Sequence, residues 1–145
     1  MKIMVSGCLL GENCKYSGGN NFNEKLVRLL EGHEVISVCP EVMGGLSVPR
    51  IPCEIVDGVV MGKDGVSYDA QFVKGAELTL EIAKREEIDL AILQPRSPSC
   101  GKGIIYDGTF TGGKTYGDGK TARLLIDHGF HVLTASEAEE VLINN

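Results

Sequence analysis

The sequence contains no tryptophan, only three histidines, and no C-x-x-C pair among its five cysteines. The missing C-x-x-C pattern excludes the usual zinc-ribbon and thioredoxin signatures. An odd number of cysteines without an evident pairing pattern is also unlike the disulfide framework of a small secreted protein. The cysteines are therefore expected to act as free thiols or as ligands.

Positive charge and long apolar runs are also scarce. Fourteen Lys and Arg residues stand against twenty Asp and Glu residues, which gives a net charge of -6. This balance supplies no electrostatic footprint for a nucleic-acid backbone or an anionic lipid. No apolar run reaches the roughly 18 residues of a membrane span, and the opening "MKIMVSG" does not suit a signal peptide. We expect a cytoplasmic protein that binds neither nucleic acid nor a membrane.

The length of 145 residues suits one domain, so residues 1–145 are predicted to form a single unit. A chain of this size can bury a core without disulfides or a structural metal. A metal bound here would therefore serve function rather than folding.

Strand-like and helix-like segments alternate along the chain. The segments "KIMVS", "EVISV", "DLAIL" and "HVLT" predict buried strands. Helices are predicted from an Asn23 cap to Gly32, over residues 69–87, in "TARLLIDHG", and after a Ser136 and Glu139 capping box. In "EIVDGVVMG" the Asp-Gly pair predicts a hairpin. These features predict a single-domain, Rossmann-like α/β fold of three layers, with a mostly parallel sheet and a small hairpin excursion.

Three cysteines follow the ends of three different predicted strands. Cys8 comes after "KIMVS", Cys39 after "EVISV" and Cys100 after "LAIL". Parallel strands share one carboxyl edge, where α/β folds bind ligands, so the three thiols are expected to converge there. A buried free cysteine is also a common small apolar filler, but three in this arrangement favour a site. The site could hold zinc or an iron-sulfur cluster, or could carry out thiol redox chemistry.

The positions of the histidines do not support a metal site with histidine ligands or a catalytic Cys-His pair. His33 and His128 lie near predicted helix ends, and His131 begins a predicted strand. Three soft thiolates without nitrogen ligands suit iron-sulfur chemistry. A cubane cluster normally takes four ligands, so three cysteines would leave one iron open as a Lewis acid.

The stretch "GTFTGGKT" matches the phosphate-loop pattern only formally. A phosphate loop joins a buried strand to a helix, whereas this stretch continues into further glycine-rich loop. Residues 119–121 are better interpreted as a helix start, whose backbone amides could hold an anion.

The stretches "SGCLLGENCKYSGG", "VCPEVMGGLSVPR" and "RSPSCGKG", followed by "YDGTF" and "GDGKTA", together resemble a known family. The chain is similar to the small domain, alone or fused, of bacterial thiouracil desulfidases, formerly a domain of unknown function. The resemblance implies a 4Fe-4S cluster held by three cysteines. Its fourth iron would take the sulfur of a thiolated base and release it without net redox change.

Carried over motif by motif, the resemblance implies Cys8, Cys39 and Cys100 as cluster ligands. It implies Glu41 of "CPE" and Ser97 of "SPSC" as catalytic side chains. Glu41 could instead cap a helix or pair with a nearby arginine, and a serine before proline is also a turn former. The resemblance implies a thiolated pyrimidine as the small-molecule substrate.

Six further residues near these motifs have less defined roles. Many relatives lack a cysteine at the position of Cys53, so this residue is not expected to be a ligand. Cys14 is expected to pack behind the site or to be a spare thiol. Arg50 could hold an anionic group or lie in solvent. Gly44, Gly45 and Pro49 are expected to shape the loop so that the backbone approaches the site.

Two functions therefore follow from the sequence. In the first, an open iron binds a C=S sulfur, water attacks the carbon, and Glu41 moves the protons. In the second, the same three cysteines form a non-catalytic or regulatory module that binds metal or carries thiols.

Overall fold

The computed structural model describes residues 1–143 and contains a central parallel sheet with two small ribbons beside it. The strands of the described chain are β1 (Lys2–Ser6), β2 (Glu34–Val38), β3 (Cys53–Val56), β4 (Val59–Gly62), β5 (Leu90–Ile92), β6 (Ile104–Tyr106), β7 (Lys114–Tyr116) and β8 (Val132–Leu133). The central sheet has the order β2-β1-β5-β8, and all its pairings are parallel.

The strand order reverses at β1. From β1 the chain moves outward to β2, then returns to the other side of β1 to form β5. In the register of this sheet Ile3 lies between Val35 of β2 and Leu90 of β5. The loops that leave β1 and β5 therefore diverge at the carboxyl edge, and this divergence opens a crevice.

Helices cover both faces of the sheet. They are α1 (Glu24–Leu29), α2 (Pro40–Met43), α3 (Asp69–Glu86), α4 (Lys120–Asp127) and α5 (Ala135–Ile143), with a short 3₁₀ turn at Gly7–Leu10. Helices α1 and α5 pack together on one face, and α3 and α4 pack together on the other. Within residues 1–143 no helix combines the length and apolar character that crossing a membrane requires. The predicted three-layer α/β fold with a parallel sheet is confirmed.

The alternation of side chains along β1 builds both halves of the core. Ile3 and Val5 pack in one cluster with Leu26 of α1, whereas Met4 packs in the other with Leu125 of α4. All five side chains are completely buried. A central strand buried on both faces must be apolar throughout, which is the reason that "KIMVS" lacks the polar alternation of a surface strand.

The local signals for the hairpin and the first helix are confirmed. Asp57 and Gly58 both have positive φ angles, 49° and 80°, as a type I′ turn requires, and they join β3 to β4. The Asn23 side chain accepts the Leu26 N–H at 3.0 Å at the start of α1. This helix ends at Leu29, three residues before Gly32.

The predicted capping box at Ser136 and Glu139 is wrong. The helix begins two residues earlier, because strand β8 ends at Leu133 and leaves Thr134 outside both elements. The Thr134 hydroxyl accepts the Glu137 N–H at 3.2 Å, and the Glu137 carboxylate accepts the Thr134 N–H at 3.0 Å. The pair Thr134 and Glu137 and the pair Ser136 and Glu139 both match the capping-box pattern. The helix uses the first pair because β8 ends directly before Thr134.

The glycine-rich segment after Cys100 contains an antiparallel ribbon that the sequence did not predict. Strand β6 pairs with β7, and Ile104 lies opposite Tyr116. The "GTFTGGKT" stretch forms the connection of this ribbon and the first two residues of β7, so it leads into a strand rather than a helix. It therefore lacks the strand-to-helix context of a phosphate loop.

Thr134→Ala is expected to lower the free energy of unfolding by about 1 kcal/mol, because it removes the hydroxyl that caps the last helix. Ser136 is exposed in the first turn of that helix. Ser136→Ala is the matched control and is expected to stay within about 0.5 kcal/mol of the parent. Urea denaturation followed by circular dichroism measures both, and a larger loss for Ser136→Ala would contradict the assignment.

Candidate metal centre

The loops at the carboxyl edge of the sheet enclose a cavity of about 480 Å³. A volume of this size suits a small ligand. All five cysteines contribute to its lining: Cys8, Cys14, Cys39, Cys53 and Cys100. The cavity lies at the point where the strand order reverses, as the parallel topology predicts.

Three separate segments deliver the three cysteines that the sequence places after strands. Cys8 lies in the 3₁₀ turn after β1, Cys39 immediately precedes α2, and Cys100 lies in the turn after β5. The Cys8 and Cys100 residues are only 7% and 5% exposed. The prediction that these three cysteines lie together at one edge of the sheet is confirmed, since all three line the same cavity.

Burial is the main cause of the raised pKa values of the Cys8 and Cys100 thiols. It raises the pKa of Cys8, and the nearby Cys39 adds to the effect. Burial also raises the pKa of Cys100, with smaller contributions from Glu41, Cys8 and Cys39. Without a cation the Cys8 and Cys100 thiols resist ionisation, because a buried thiolate loses its hydration. A metal that binds thiolates would release their protons.

The contacts of Cys8 and Cys39 are long and weak. The Cys8 thiol donates to Gln94 Oε1 at 3.9 Å, and the Cys39 thiol donates to the Cys14 carbonyl at 3.6 Å. Gln94 is a cavity residue that the sequence analysis missed, although it directly follows the "LAIL" strand. Its position beyond a parallel strand was the available signal.

The other two cysteines lie on the wall of the same cavity. Burial and the neighbouring Cys39 raise the pKa of the Cys14 thiol to about 12. Burial and the Glu41 carboxylate raise the pKa of Cys53 to about 11. The Cys53 thiol donates to the Ile51 carbonyl at 3.4 Å, at the start of β3. Both residues thus line the site, Cys14 from the loop that follows β1 and Cys53 from the start of β3.

Ser97 organises the turn that carries Cys100. Its Oγ accepts the N–H groups of Ser99 and Cys100, each at 3.0 Å. The Ser97 carbonyl accepts the Gly101 N–H at 2.9 Å and closes the turn. In both side-chain bonds the Ser97 oxygen is the acceptor, so its hydroxyl proton can still be donated. The residue thus has the turn-forming role that its sequence suggests and also lines the cavity.

Backbone hydrogen bonds from the start of α4 hold the turn that carries Cys100. The N–H groups of residues 119–122 donate to carbonyls of residues 98, 99 and 101 at distances from 2.7 to 3.1 Å. These amides are occupied, so the expectation that they hold an anion is wrong. A Cβ on Gly119 would lie 2.5 Å from the Ser99 carbonyl carbon, which explains why this position requires glycine.

A buried pair of hydroxyls locks the two segments together. Ser99 Oγ and Thr121 Oγ1 lie 2.7 Å apart, and both residues are 0% exposed. The motifs "SPSC" and "GDGKTA" therefore belong to one structural unit, although about twenty residues separate them in sequence.

Glu41 reaches the cavity from the first turn of α2. Its Oε1 lies 3.4 Å from Arg50 Nε, and the Arg50 side chain is 5% exposed. Burial raises the pKa of the Glu41 carboxyl, and the Arg50 charge opposes this rise. Arg50 therefore does not lie in solvent, as one interpretation of the sequence expected. The pairing of Glu41 with a nearby arginine is present.

The glycine after α2 has a different role from the expected one. Gly44 approaches the Gln71 carbonyl of α3 so closely that a Cβ there would collide with it, and Gly75 approaches Pro40 in the same way. Gly44 thus allows α2 to pack on α3, rather than bringing backbone to the cavity. This contact fixes the helix that carries Glu41.

The three convergent cysteines provide soft sulfur ligands of the kind that iron-sulfur clusters use. Among residues 1–143 no three His, Cys, Asp or Glu side chains form a group that could hold one metal ion. Thiolates on a cubane bind different irons and need not share one ion. Three convergent thiols from Cys8, Cys39 and Cys100 therefore supply a suitable donor set for an iron-sulfur cluster.

Comparison with known proteins agrees with this geometry. The sequence model of the 2-thiouracil desulfurase family matches residues 3–137. The chain belongs to this family. Its structure is similar to that of the [4Fe-4S]-dependent thiouracil desulfidase TudS, with a TM-score of 0.90 and 40% sequence identity. The match covers 99% of this chain and 96% of the other.

A curated relative from Bacillus subtilis (strain 168) is also similar over its whole length. This uncharacterized protein YbbK is 37% identical over 150 residues, which covers 97% of this chain and 99% of the relative. The resemblance to thiouracil desulfidases that the sequence motifs indicated is therefore confirmed. The chain is a homologue of a 4Fe-4S-dependent enzyme of this family.

Thr121→Val is expected to lower the free energy of unfolding by about 1–3 kcal/mol, because it leaves the buried Ser99 hydroxyl without its partner. The double variant Ser99→Ala/Thr121→Val removes both hydroxyls and is expected to be more stable than Thr121→Val alone. Thermal unfolding of the single and double variants measures the difference. Additive losses would contradict a direct pair.

Proposed function

We propose that this protein is an iron-sulfur-dependent desulfidase that converts the C=S group of a thiolated pyrimidine, such as 2-thiouracil, into C=O. Water supplies the oxygen and sulfur leaves as sulfide, so neither carbon nor sulfur changes its oxidation state. The observation that carries the proposal is the convergence of three strand-end cysteines on one cavity in a member of this family. Residues 1–145 are proposed to act as one such unit.

Cys8, Cys39 and Cys100 would hold a 4Fe-4S cluster at the carboxyl edge of the sheet. When bound, the cluster supplies an iron without a protein ligand, a soft Lewis acid that polarises a C=S bond. The cavity of about 480 Å³ leaves space beside the thiols for a flat ring. Its limited size and the acidic chain support a small-molecule substrate rather than a nucleic acid.

Glu41 is proposed as the acid–base group. Its carboxylate lines the same cavity as the cysteines and is held there by the buried Arg50. A carboxylate oxygen can accept a proton from the attacking water and return it to the departing sulfur. The rigid packing of α2 on α3 fixes the direction from which Glu41 approaches.

Ser97 is proposed to donate a hydrogen bond to the substrate or to sulfide. The two backbone N–H groups that bond to its oxygen fix the position of Oγ on the cavity wall. Its proton can therefore be directed into the cavity without loss of the turn. A donor that is already oriented stabilises developing negative charge without reorganisation.

Anaerobic reconstitution with iron and sulfide tests the proposal directly. We expect a brown protein that contains iron and sulfide and releases hydrosulfide from 2-thiouracil. Single replacement of Cys8, Cys39 or Cys100 by serine is expected to abolish cluster incorporation, because an iron without its thiolate is easily lost. Iron and sulfide analysis together with the visible spectrum measure the outcome.

Cys53→Ala is the matched control, since it removes a thiol from the same cavity and is expected to leave the cluster intact. Loss of the cluster in this variant and its retention in Cys39→Ser would overturn the ligand assignment. A colourless wild-type protein with one zinc per chain would instead support a metal-binding module.

Glu41→Gln is expected to preserve the visible spectrum of the loaded protein and to lower turnover by about 10² to 10⁴-fold, the usual range for a lost acid–base group. Glu24, an exposed glutamate that pairs with Arg28 on α1, provides the control variant Glu24→Gln. Hydrosulfide release under anaerobic conditions measures both. Unchanged turnover in Glu41→Gln would leave this residue with only its structural pairing.

A further inference from the structure

Arg50 is a buried cation on the cavity wall, and each of its guanidinium nitrogens faces a protein oxygen. Nε lies 3.4 Å from Glu41 Oε1, Nη1 donates to the Ser47 carbonyl at 3.2 Å, and Nη2 donates to the Cys14 carbonyl at 2.9 Å. Its backbone N–H donates to the Tyr16 carbonyl at 2.8 Å. Three of the five guanidinium N–H donors therefore face protein oxygens.

This contact set requires arginine rather than lysine. The guanidinium group presents donors in a rigid planar fork, whereas an ammonium group is a point charge on a flexible stem. Burying a cation costs free energy unless it is paired and hydrogen-bonded. Arg50 satisfies both conditions, through the Glu41 carboxylate and two backbone carbonyls.

The same contacts connect the proposed acid–base group to one of the proposed cluster ligands. In the cluster-free protein the Cys14 carbonyl that accepts from Arg50 also accepts the Cys39 thiol at 3.6 Å. Glu41 lies two residues beyond Cys39, in the first turn of α2. Arg50 thus contacts both the loop that contains Cys14 and the first turn of α2.

We propose that Arg50 is a positioning residue that holds the Glu41 carboxylate at a fixed place beside Cys39. The inference rests on the proposed function, since it concerns the group that moves protons in that reaction. The assignment rests on the three contacts that the guanidinium nitrogens make with protein oxygens. A displacement of a catalytic group by about 1 Å can cost on the order of 10²-fold in rate.

The first test uses the cluster-free protein and needs no activity. In the ¹H–¹⁵N spectrum we expect the Arg50 Nε–H to give a slowly exchanging signal, because it is buried and directed at Glu41. Glu41→Gln is expected to shift this signal, whereas the surface variant Glu24→Gln leaves it in place. An unshifted signal in Glu41→Gln would show that the two groups do not contact each other in solution and would overturn the inference.

The second test is a double-mutant cycle in the loaded enzyme. Arg50→Lys keeps the charge but loses the fork, and it is expected to lower kcat by about 10²-fold with KM changed by less than about threefold. In the Glu41→Gln background the same change is expected to cost little more, because the group that it positions is already disabled. Arg85→Lys, at an exposed site on α3, is the control and is expected to match the parent.

Two results of the cycle would overturn the inference. Losses that multiply in the double variant would show that Arg50 acts independently of Glu41. Reduced iron content in Arg50→Lys with unchanged kcat per iron would assign Arg50 to the cysteine loop instead. Failure of the wild-type protein to bind a cluster or release sulfide would refute the proposed function, a result distinct from both.

Discussion

The parallel pairing of β1 with β2 on one side and β5 on the other determines where the three strand-end cysteines lie. Because the three strands run in one direction, their following loops leave at a single edge. Cys8, Cys39 and Cys100 reach one cavity for this reason and not through any local motif. The reversal of strand order next to β1 separates the loops enough to leave a crevice between them.

Loops alone would hold these cysteines poorly, and the structure stiffens each of them by backbone contacts. The Cys100 turn is closed by Ser97 and braced from below by the first turn of α4. The segment after Cys39 becomes a helix that packs on α3 through Gly44. Each contact depends on a glycine or a hydroxyl at a particular position. Residues that never touch a substrate therefore still shape the site.

The sequence predicted the sheet and the thiol convergence because buried strands and strand-end cysteines are strong signals. It failed for the β6–β7 ribbon, since Lys114–Tyr116 is fully exposed and shows no apolar alternation. The two candidate capping boxes were locally equivalent, and only the end of β8 distinguishes them. The pairing of Arg50 with Glu41, nine residues away, was one of the expected alternatives, whereas its contact with the Cys14 carbonyl was not predictable, because Cys14 lies 36 residues away in sequence.

The pair formed by Glu41 and Arg50 is not explained by stability alone. Burying two charges costs several kcal/mol per ion before their attraction is counted, so apolar residues of similar size would often give an equally stable or more stable protein. Under the proposed function, Arg50 orients the Glu41 carboxylate, whose Oε1 lies 3.4 Å from Arg50 Nε, and an apolar pair would offer no group that can exchange protons. The cost of burial is therefore consistent with a site in which the orientation of one carboxylate matters more than the stability of the wall around it.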